Sequence, residues 1–331
     1  MNYVGLDVHK AYCQAAILDE QGELVAEKKI QTDERGFKQL AKAIEKGSSI
    51  VMEASCSFYT PYEYFAGRGY DVKVAHPKNV KAIASSKVKT DKIDARILAD
   101  LLRADLIPES YVPDRGIRQL RELLTHRQGL VKMRTEAKNR IHSILTKRGI
   151  RHKFSDLFGK GGRAWLKSLE LDMSGKLEVS QSMQAIRLLD AQIVMTESEI
   201  YAYEKSFPEA RLLQTMPGIG RLISMIMLAE IADINRFPDA KRLASYAGLT
   251  PSVHQSGDVD FHGRITKQGN KMLRTAMIQA AQRAMHKDTK IRRFYLHIRK
   301  RHGENKAKVA VARKMLCWSF IMLKRGEPFA A

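Results

Sequence analysis

The chain has 331 residues, of which 44% are hydrophobic, and it carries a net charge of +21. Its length favours two domains over one, and its excess of basic residues indicates a polyanionic partner, most often nucleic acid. No apolar run reaches the length needed to span a membrane, and the three cysteines form neither a disulfide framework nor a zinc motif. The N-terminal stretch lacks the apolar region of a signal peptide, so we expect a cytoplasmic protein that associates with the nucleoid when it acts.

The positive charge is concentrated in two segments. Residues 1–110 are neutral overall, whereas residues 115–153 contain 12 basic and 2 acidic residues, and residues 262–325 contain 18 and 2. A protein that only needs to be soluble does not require this segregation. It predicts nucleic-acid-binding surfaces, and a ribosomal or chromatin-like binding protein remains an alternative.

In chain order, the first 110 residues read as an α/β domain. Strands are predicted at "YVGLDV" and on both sides of a hairpin at residues 20–22, followed by a helix over 34–47. Next come a strand at "SSIVMEAS", a helix over 59–68, a strand at "DVKVAH" that Pro77 stops, and a helix in "KTDKIDARILADLLRADL". Hairpin strands followed by alternating strands and helices predict a mixed sheet with helical cover, an order that fits a ribonuclease-H-like fold.

The remainder of the chain is predicted to be mostly helical. Long helices over 114–148 and 176–205 suggest an antiparallel arm or coiled-coil linker, with the glycine-rich "FGKGGR" as the break between them. A final helical domain begins near residue 210, and its polar stretch 250–270 is predicted to be a loop. We therefore expect domains at 1–110, 111–207 and 208–331.

Four acidic residues occupy unusual places in the N-terminal domain. Asp7 and Glu53 lie in apolar strand segments, where ionised carboxylates are disfavoured unless they are paired or bind metal. Asp91 and Asp94 share one face of a helix. Each has a plainer explanation, because strand ends and turns carry acidic residues and because Thr90 or Asp91 can cap the helix. Together they predict a carboxylate cluster that could hold two Mg²⁺ ions for phosphoryl transfer.

The motifs "GLDVHK", "MEASCSFY" and "KTDKIDAR", in this order, resemble the DEDD-type transposases of insertion-sequence family 110 and its 1111 subgroup, the bridge-RNA-guided serine recombinases. The similarity continues through "MPGIGRLISMIMLAEI", "LASYAGLTPSVHQSG" and "KQGNKMLRTAMIQAA" and covers nearly the whole chain. The resemblance implies a RuvC-like N-terminal domain, with Asp7, Glu53, Asp91 and Asp94 as the catalytic acidic positions. It also implies DNA as substrate, a structured guide RNA as partner, and a homo-oligomer, either dimer or tetramer, in which the acidic domain of one protomer faces the serine domain of another.

The same resemblance assigns roles in the C-terminal domain. It implies that Ser256, in "HQSG" after "AGLTP", is the serine nucleophile, with Ser252 as the alternative position. The local sequence pattern alone does not distinguish this serine from the other serines of the chain. Basic residues near it are candidates to hold the DNA backbone or are a solvated helix face, namely Arg264, Lys267, Lys271 and Arg274. In "PGIG", Gly218 and Gly220 form either a phosphate-binding turn at a helix N-terminus or a plain glycine-rich turn.

The function that we expect is a DNA recombinase that moves an insertion sequence through a phosphoserine intermediate. Three rivals remain: a DNA invertase of the same family, a junction-resolving nuclease that uses only the carboxylates and water, and a basic architectural binder. The four carboxylates argue against the architectural binder, and the additional C-terminal domain argues against the simple nuclease.

Overall fold

The computed structural model describes residues 1–84, 90–256, 259–286 and 290–330, and the side chains of residues 253–262 lie outside the description. Contacts divide the chain into two compact units, Met1–Val112 and Pro113–Ala331. The second unit contains both the helical arm and the C-terminal helices. The further division of this unit near residue 207 stays a prediction.

The first unit is built on a five-stranded mixed sheet. Its strands are β1 (Tyr3–Val8), β2 (Tyr12–Leu18), β3 (Leu24–Gln31), β4 (Ser49–Glu53) and β5 (Asp71–Ala75). They lie in the order β3-β2-β1-β4-β5, with the first three antiparallel and both β4 and β5 parallel to β1. The strands predicted from the sequence are thus confirmed, and the mixed sheet is that of a RuvC-like, ribonuclease-H-like domain.

Four helices accompany this sheet: α1 (Glu34–Ala41), α2 (Tyr59–Ala66), α3 (Pro77–Ile83) and α4 (Asp91–Arg103). The prediction of a helix over 34–47 was too long. After Ala41 the chain turns, and the Asn2 side chain accepts a hydrogen bond from the Glu45 backbone N–H at 3.0 Å, which ties this segment to the start of β1. Helix α3 was not predicted, because Pro77 stops a strand but also suits the first turn of a helix, where its missing N–H is not needed.

The two faces of the sheet carry different helices because side chains alternate along each strand. One face of β1 and β4 packs Leu6 and Met52 with Phe37 of α1 and Phe65 of α2. The opposite face packs Val51 with leucines of α4. Side chains two residues apart on a strand lie on the same face of the sheet. Asp7 and Glu53 each come two residues after a residue on this second face, so both side chains point towards the side of the sheet that α4 covers.

Helix α4 lies unusually close to β1 at Gly5. A Cβ atom built on Gly5 would lie 1.9 Å from the carbonyl oxygen of Ala95 and 2.6 Å from the backbone nitrogen of Ala99. Ala95 and Ala99 are fully buried, and their small side chains permit this approach. A glycine in β1 and two alanines in α4 therefore set the distance between the strand that carries Asp7 and the helix that carries Asp91.

Replacing Gly5 with alanine should destabilise the first unit by about 1–3 kcal/mol, because the new methyl group must push α4 away from the sheet. The same displacement should separate Asp91, at the start of α4, from Asp7 in β1. The measurement is the urea unfolding midpoint, with Gly129→Ala as the control. Gly129 lies inside a long helix with nothing within 4 Å of an added Cβ, so its replacement should be neutral or stabilising. An unchanged midpoint for Gly5→Ala would contradict the packing argument.

The second unit begins with a helical arm. Helices α5 (Arg115–Lys147) and α7 (Met173–Ala202) pack against each other, with the short α6 (Lys160–Ser168) between them in the chain. Arg127 pairs with Glu197, whereas Arg134, further along α5, pairs with Asp190, which comes earlier in α7, so the helices are antiparallel. Buried residues of α7 recur every seven positions, at Val179, Ile186, Ile193 and Ile200, as a coiled-coil seam requires.

The "FGKGGR" stretch is not simply a break in the arm. Its glycines at 161 and 162 lie in the first turn of α6. A Cβ on Gly162 would lie 2.1 Å from the Leu157 carbonyl oxygen. Glycine is present because the start of α6 packs directly on the preceding backbone, a reason that the sequence pattern does not reveal.

The rest of the second unit is mostly helical. Its elements are α8 (Glu209–Gln214), α9 (Arg221–Ile231), α10 (Ala240–Tyr246), β6 (Pro251–Ser256), β7 (Val259–Ile265), α11 (Lys271–Ala284), α12 (Lys290–His302) and α13 (Glu304–Arg325), with short 3-10 helices at Tyr203–Ser206 and Ile234–Arg236. Their core includes Met225, Met277 and Met315. Within the described ranges, no helix is both long enough and apolar enough to cross a membrane.

The prediction of a polar loop over 250–270 was wrong in part. Strands β6 and β7 form an antiparallel hairpin there, in which Pro251 pairs with Ile265 and Ser256 with Val259. The polar composition concealed the strands, although a Gly-Asp pair between two strand segments is a recognised hairpin pattern. That pair, residues 257 and 258, lies outside the described residues.

Candidate functional site

The register of the central strands places two of the predicted carboxylates at the same level. Leu6 of β1 pairs with Met52 of the parallel strand β4, and the next residue in each strand is Asp7 and Glu53. Asp7 also pairs with the buried Gln14 across the antiparallel β1–β2 ladder. The carboxyl end of the two parallel strands thus brings both acidic residues to one edge of the sheet.

The start of α4 combines capping with an acidic first turn. Thr90 is the N-cap residue, and its hydroxyl oxygen accepts a hydrogen bond from the Ile93 backbone N–H at 3.3 Å. Asp91 and Asp94 occupy the first turn without providing the cap. Because Thr90 fulfils the capping role, the side chain of Asp91 is available for other contacts.

Asp91 makes those contacts with the strands of the sheet. Its Oδ2 accepts a hydrogen bond from the Tyr12 hydroxyl at 2.8 Å, and the same oxygen lies 3.4 Å from His9 Nε2. His9 Nε2 also lies 3.1 Å from Asp7 Oδ2. Asp7, His9 and Asp91 therefore form a group whose ligand atoms all lie within 4.8 Å of one another.

The structure does not include Glu53 and Asp94 in that close group. Both residues are partly buried, and both make interactions of their own. The charge of Asp94 still acts on Asp7, where it helps to raise the pKa of the carboxyl group. The proximity of Asp7 and Asp91 is a feature of the described structure, whereas a four-carboxylate metal site stays a prediction.

The two aspartates of the group have opposite pKa shifts. Burial is the main cause that raises the pKa of Asp7, the charges of Asp91 and Asp94 add to it, and His9 opposes it. The hydrogen bond from Tyr12 is the main cause that lowers the pKa of Asp91. The negative charges around the half-buried Asp7 carboxyl group repel one another, and a bound cation would reduce this repulsion.

His9 and Tyr12 were not identified from the sequence, although they lie next to a predicted site residue. His9 lies in the turn after β1 and Tyr12 is the first residue of β2, and their rings lie 4.8 Å apart. Lys29 of β3 places its Nζ 3.8 Å from the centre of the Tyr12 ring. The aromatic and imidazole side chains in "DVHKAY" were a usable signal, but only the β1–β2 register shows that they face Asp91.

The donor set suits a hard divalent cation. Carboxylate oxygens are the ligands that Mg²⁺ prefers, and Mg²⁺ usually takes only one or two of them from a protein. The cluster also contains an imidazole, which suits transition metals better. The residues present therefore fit a metal site, and their oxygens favour Mg²⁺ or Mn²⁺.

The predicted nucleophile lies at the end of a strand. Ser256 is the last residue of β6, and its side chain lies outside the description. The alternative, Ser252, has a hydroxyl that donates to the Arg264 carbonyl oxygen across the hairpin at 3.2 Å. This hydrogen bond gives Ser252 a local structural role, and the assignment of the nucleophile to Ser256, with Ser252 as the alternative, stays a prediction.

The other predicted residues of the second unit have mixed surroundings. Arg264, Lys267 and Lys271 are exposed, whereas Arg274 donates to the Ala247 carbonyl oxygen at 2.9 Å and thereby links α11 to the end of α10.

The two glycines of "PGIG" also differ. Gly218 has a φ of +89°, and a Cβ there would lie 2.3 Å from the Ala280 carbonyl oxygen, so it is needed for packing. Gly220 is the N-cap of α9, and nothing lies within 4 Å of an added Cβ.

Two loops at the base of the hairpin dock against each other through glycines. A Cβ on Gly248 would lie 2.3 Å from the Gln268 carbonyl oxygen, and one on Gly269 would lie 2.2 Å from that of Tyr246. Asn270 then caps α11 by accepting from the Leu273 N–H at 2.8 Å, and its amide donates to the buried Glu230. The "AGLTP" and "KQGN" motifs are therefore adjacent in space and hold the base of the hairpin whose first strand ends at Ser256.

A ribonuclease-H-like sheet with acidic residues converging at one edge, joined to a basic helical unit, defines a class of enzymes that cut nucleic acids. Comparison with known proteins agrees with this class. The model of a DEDD-type transposase family matches residues 4–149, and that of the transposase IS116/IS110/IS902 family matches residues 210–296. The chain belongs to the IS110 family of insertion-sequence transposases, and DNA is its substrate class.

Individual relatives are similar along nearly the whole chain. The transposase for insertion sequence element IS1111A of Coxiella burnetii is 28% identical, over 98% of this chain and 90% of that protein. The pilin gene-inverting protein of Moraxella bovis is 26% identical, over 99% and 97%. An insertion element IS110 protein of Streptomyces coelicolor is 24% identical, over 98% and 94%.

Proposed function

We propose that the protein is a site-specific recombinase that moves an insertion sequence, and that it cuts and rejoins DNA through a phosphoserine intermediate on Ser256. The observation that carries the proposal is the close approach of Asp7 and Asp91, which come from strand β1 and helix α4 of the first unit. Carboxylates that converge in this way serve phosphoryl transfer in ribonuclease-H-like enzymes. The proposed reaction requires this cluster in the first unit and the serine in the second.

Asp7, Glu53, Asp91 and Asp94 would hold Mg²⁺. Mg²⁺ bound there would neutralise the charge that develops on the reacting phosphate and activate the attacking oxygen. Tyr12 fixes the orientation of the Asp91 carboxylate through its hydrogen bond, and Thr90 fixes the start of α4. Both residues prepare the site before any ligand binds.

Ser256 would exchange one ester bond for another. Its Oγ forms a bond to phosphorus as the bond to one strand oxygen breaks, and the serine proton ends on that released hydroxyl. The hydroxyl end of a second strand then attacks the phosphoserine and restores a phosphodiester, as the bond from phosphorus to Ser256 Oγ breaks and the proton of that hydroxyl returns to the serine. The number of ester bonds is unchanged, so rejoining needs no external energy source.

Basic residues of the second unit would hold the DNA backbone. We propose this role for Arg264, Lys267, Lys271 and Arg274, with N–H groups near Gly218 and Gly220 offered to a phosphate at the start of α9. Helix α12 supports the proposal, because it buries Ile291 and Tyr295 and exposes a row of arginines and lysines.

Affinity for duplex DNA should fall steeply with salt. Each phosphate contact adds about −0.9 to the slope of log affinity against log salt, so six to ten contacts lose roughly 10³- to 10⁵-fold between 50 and 200 mM. Fluorescence anisotropy measures this slope. Reversing the charge of the exposed Lys300 and Arg301 should make it shallower, whereas Lys46→Glu in the first unit should not. A flat salt dependence of the wild-type protein would contradict the binding surface.

We propose that a structured RNA encoded beside the gene guides the enzyme to its DNA sites, and that the active form is a homo-oligomer, either a dimer or a tetramer. Resemblance to bridge-RNA-guided recombinases supports the guide, and the charge of the arm supports an RNA-binding surface. Purification of the protein from its native cell should recover one such RNA in an amount comparable, in moles, to that of the protein. Recovery of only bulk cellular RNA would count against guidance.

A DNA invertase is the second candidate function. Similarity to the pilin gene-inverting protein of Moraxella bovis, which extends over 99% of this chain, favours it. The two functions use the same chemistry and differ in the DNA sites that are joined. Inversion requires two inverted sites on one molecule.

The test is a recombination assay with purified protein, its RNA, Mg²⁺, and DNA carrying the element ends and a target. Joined donor–target junctions, amplified and sequenced, are the result expected of a transposase, and their loss with EDTA is the control. Inversion between two sites without insertion would favour the invertase. Hydrolysed ends without any joined product would contradict a recombinase and indicate a water-using nuclease.

A further inference from the structure

The far end of the helical arm carries a cluster of aromatic rings. We define the arm tip as residues 138–167, which include the end of α5, the connecting segment and most of α6. Ring centres of neighbouring members lie between 5.4 and 6.3 Å apart. The rings belong to His142, His152, Phe154, Phe158 and Trp165.

Packing of the arm explains only part of this cluster. Phe158 and Trp165 pack with Ile141 and Leu166 in a small core between the helices. Phe154 lies outside that core, is 37% exposed, and has its ring centre 5.5 Å from that of Trp165. His152 lies beside both rings, with its Nδ1 buried among them. The exposed face of the Phe154 ring is therefore available for stacking with a flat ligand.

The arm tip is also strongly basic. Its one acidic residue, Asp156, accepts a hydrogen bond from the Phe158 backbone N–H at 3.0 Å. Arg148 pairs with Asp172, the N-cap residue of α7, and Arg163 pairs with Asp190 within that helix. The other basic side chains are mostly exposed, and none makes an ion pair within the described ranges. They are Lys138, Arg140, Lys147, Arg151, Lys153, Lys160 and Lys167.

We propose that the arm tip binds unpaired nucleotides, with a base stacked on Phe154 and backbone phosphates held by Arg151, Lys153 and Lys160. Single strands are bound by aromatic rings on which bases stack, set in a positively charged surface. A duplex cannot use Phe154 in this way, because its bases are already stacked. Phe154 is the exposed large apolar side chain of the tip, which favours a flat base over the extended apolar surface of a lipid or a protein helix.

This inference rests on the proposed function in one respect, that the ligand is nucleic acid. It adds the part of the chain and the kind of nucleotide that are bound. The unpaired nucleotides could belong to a loop of RNA or to an opened DNA strand, since both present the same bases and phosphates. The 2′-hydroxyl distinguishes these two sources.

The test compares labelled 12-nucleotide single-stranded RNA, single-stranded DNA of the same sequence, and blunt duplex DNA, with the full-length protein in fluorescence anisotropy. Phe154→Ala should weaken binding of a single strand roughly tenfold, as expected for one lost stacking contact, and leave duplex binding unchanged. Phe154→Leu keeps apolar volume without a flat ring and should behave like Phe154→Ala. Met133→Ala removes an exposed apolar side chain of α5 outside the tip and should have no effect.

A second measurement reports the contact directly. The chain has two tryptophans, so Trp318→Phe leaves Trp165 as the reporter. Single strands should quench its fluorescence, and duplex should not. Tighter binding of RNA than of DNA would identify RNA loops as the source, and the reverse would identify opened DNA.

The outcomes separate the inference from the function on which it rests. If the wild-type protein binds no nucleic acid, the proposed function fails. If it binds duplex and single strands, and Phe154→Ala changes neither, the arm tip is not a base-stacking site while the proposed function stands. Wild-type affinity in Phe154→Leu would also overturn the inference, because the contact would then be a plain apolar one.

Discussion

Replacing Asp91 with asparagine should abolish strand cleavage while it leaves nucleic-acid binding almost unchanged. Asp91 accepts a hydrogen bond from Tyr12 and lies beside His9 and Asp7, so its carboxylate is central to the cluster. The amide has nearly the same shape but no charge, and a cation bound there contributes several kcal/mol to phosphoryl transfer. A change of 1.36 kcal/mol in activation free energy changes the rate tenfold. We therefore expect the rate of strand cleavage to fall about a thousandfold or more.

Metal binding gives this prediction a second readout. Titration of Mg²⁺ or Mn²⁺ in a calorimeter should show a clear loss of affinity in Asp91→Asn without any DNA present. Asp100→Asn makes the same chemical change on the same helix, away from the cluster, and should bind metal and cleave like the wild type. Full cleavage by Asp91→Asn would show that the cluster is not the catalytic metal site.

The sequence predicted much of the N-terminal domain because its patterns are local. The sequence shows two apolar strands with Asp7 and Glu53 at or next to their ends. It also shows a capped helix that begins with Asp91. A parallel pair of strands brings its carboxyl ends to one edge, so the convergence of acidic residues followed from topology. The contacts of His9 and Tyr12 with Asp91 depend on the β1–β2 register and on how closely α4 approaches Gly5, and neither can be read from spacing.

The C-terminal unit was harder to predict because the segment that carries its predicted nucleophile has a polar composition without a clear apolar pattern. Polar composition concealed the β6–β7 hairpin, and the glycines at 248 and 269 were visible as motifs without a physical reason. The structure supplies that reason, since each glycine allows one loop to lie against the backbone of the other. The role of Ser256 rests on resemblance, as no local pattern distinguishes it from other serines of the chain.

Replacing Ser256 with alanine should eliminate a covalent protein–DNA adduct while folding and DNA binding survive. The substitution removes one oxygen at a strand end and changes no charge, so its effect on stability should be small. With wild-type protein, RNA, Mg²⁺ and a cleavable substrate, the phosphoserine intermediate should appear as a slowly migrating band that resists denaturation on a gel. A nuclease that uses water forms no such band, so the assay also separates recombinase from nuclease.

Ser252→Ala is the matched control for this experiment. Ser252 lies in the same strand, and its hydroxyl is already bonded to the Arg264 carbonyl oxygen, so its loss should leave the adduct intact. If Ser256→Ala still traps DNA and Ser252→Ala does not, the nucleophile is Ser252, four residues earlier in the same strand, and the assignment of Ser256 is wrong. If the wild-type protein never forms an adduct on DNA that it cuts, attack by serine is excluded, and the carboxylate cluster must act with water alone.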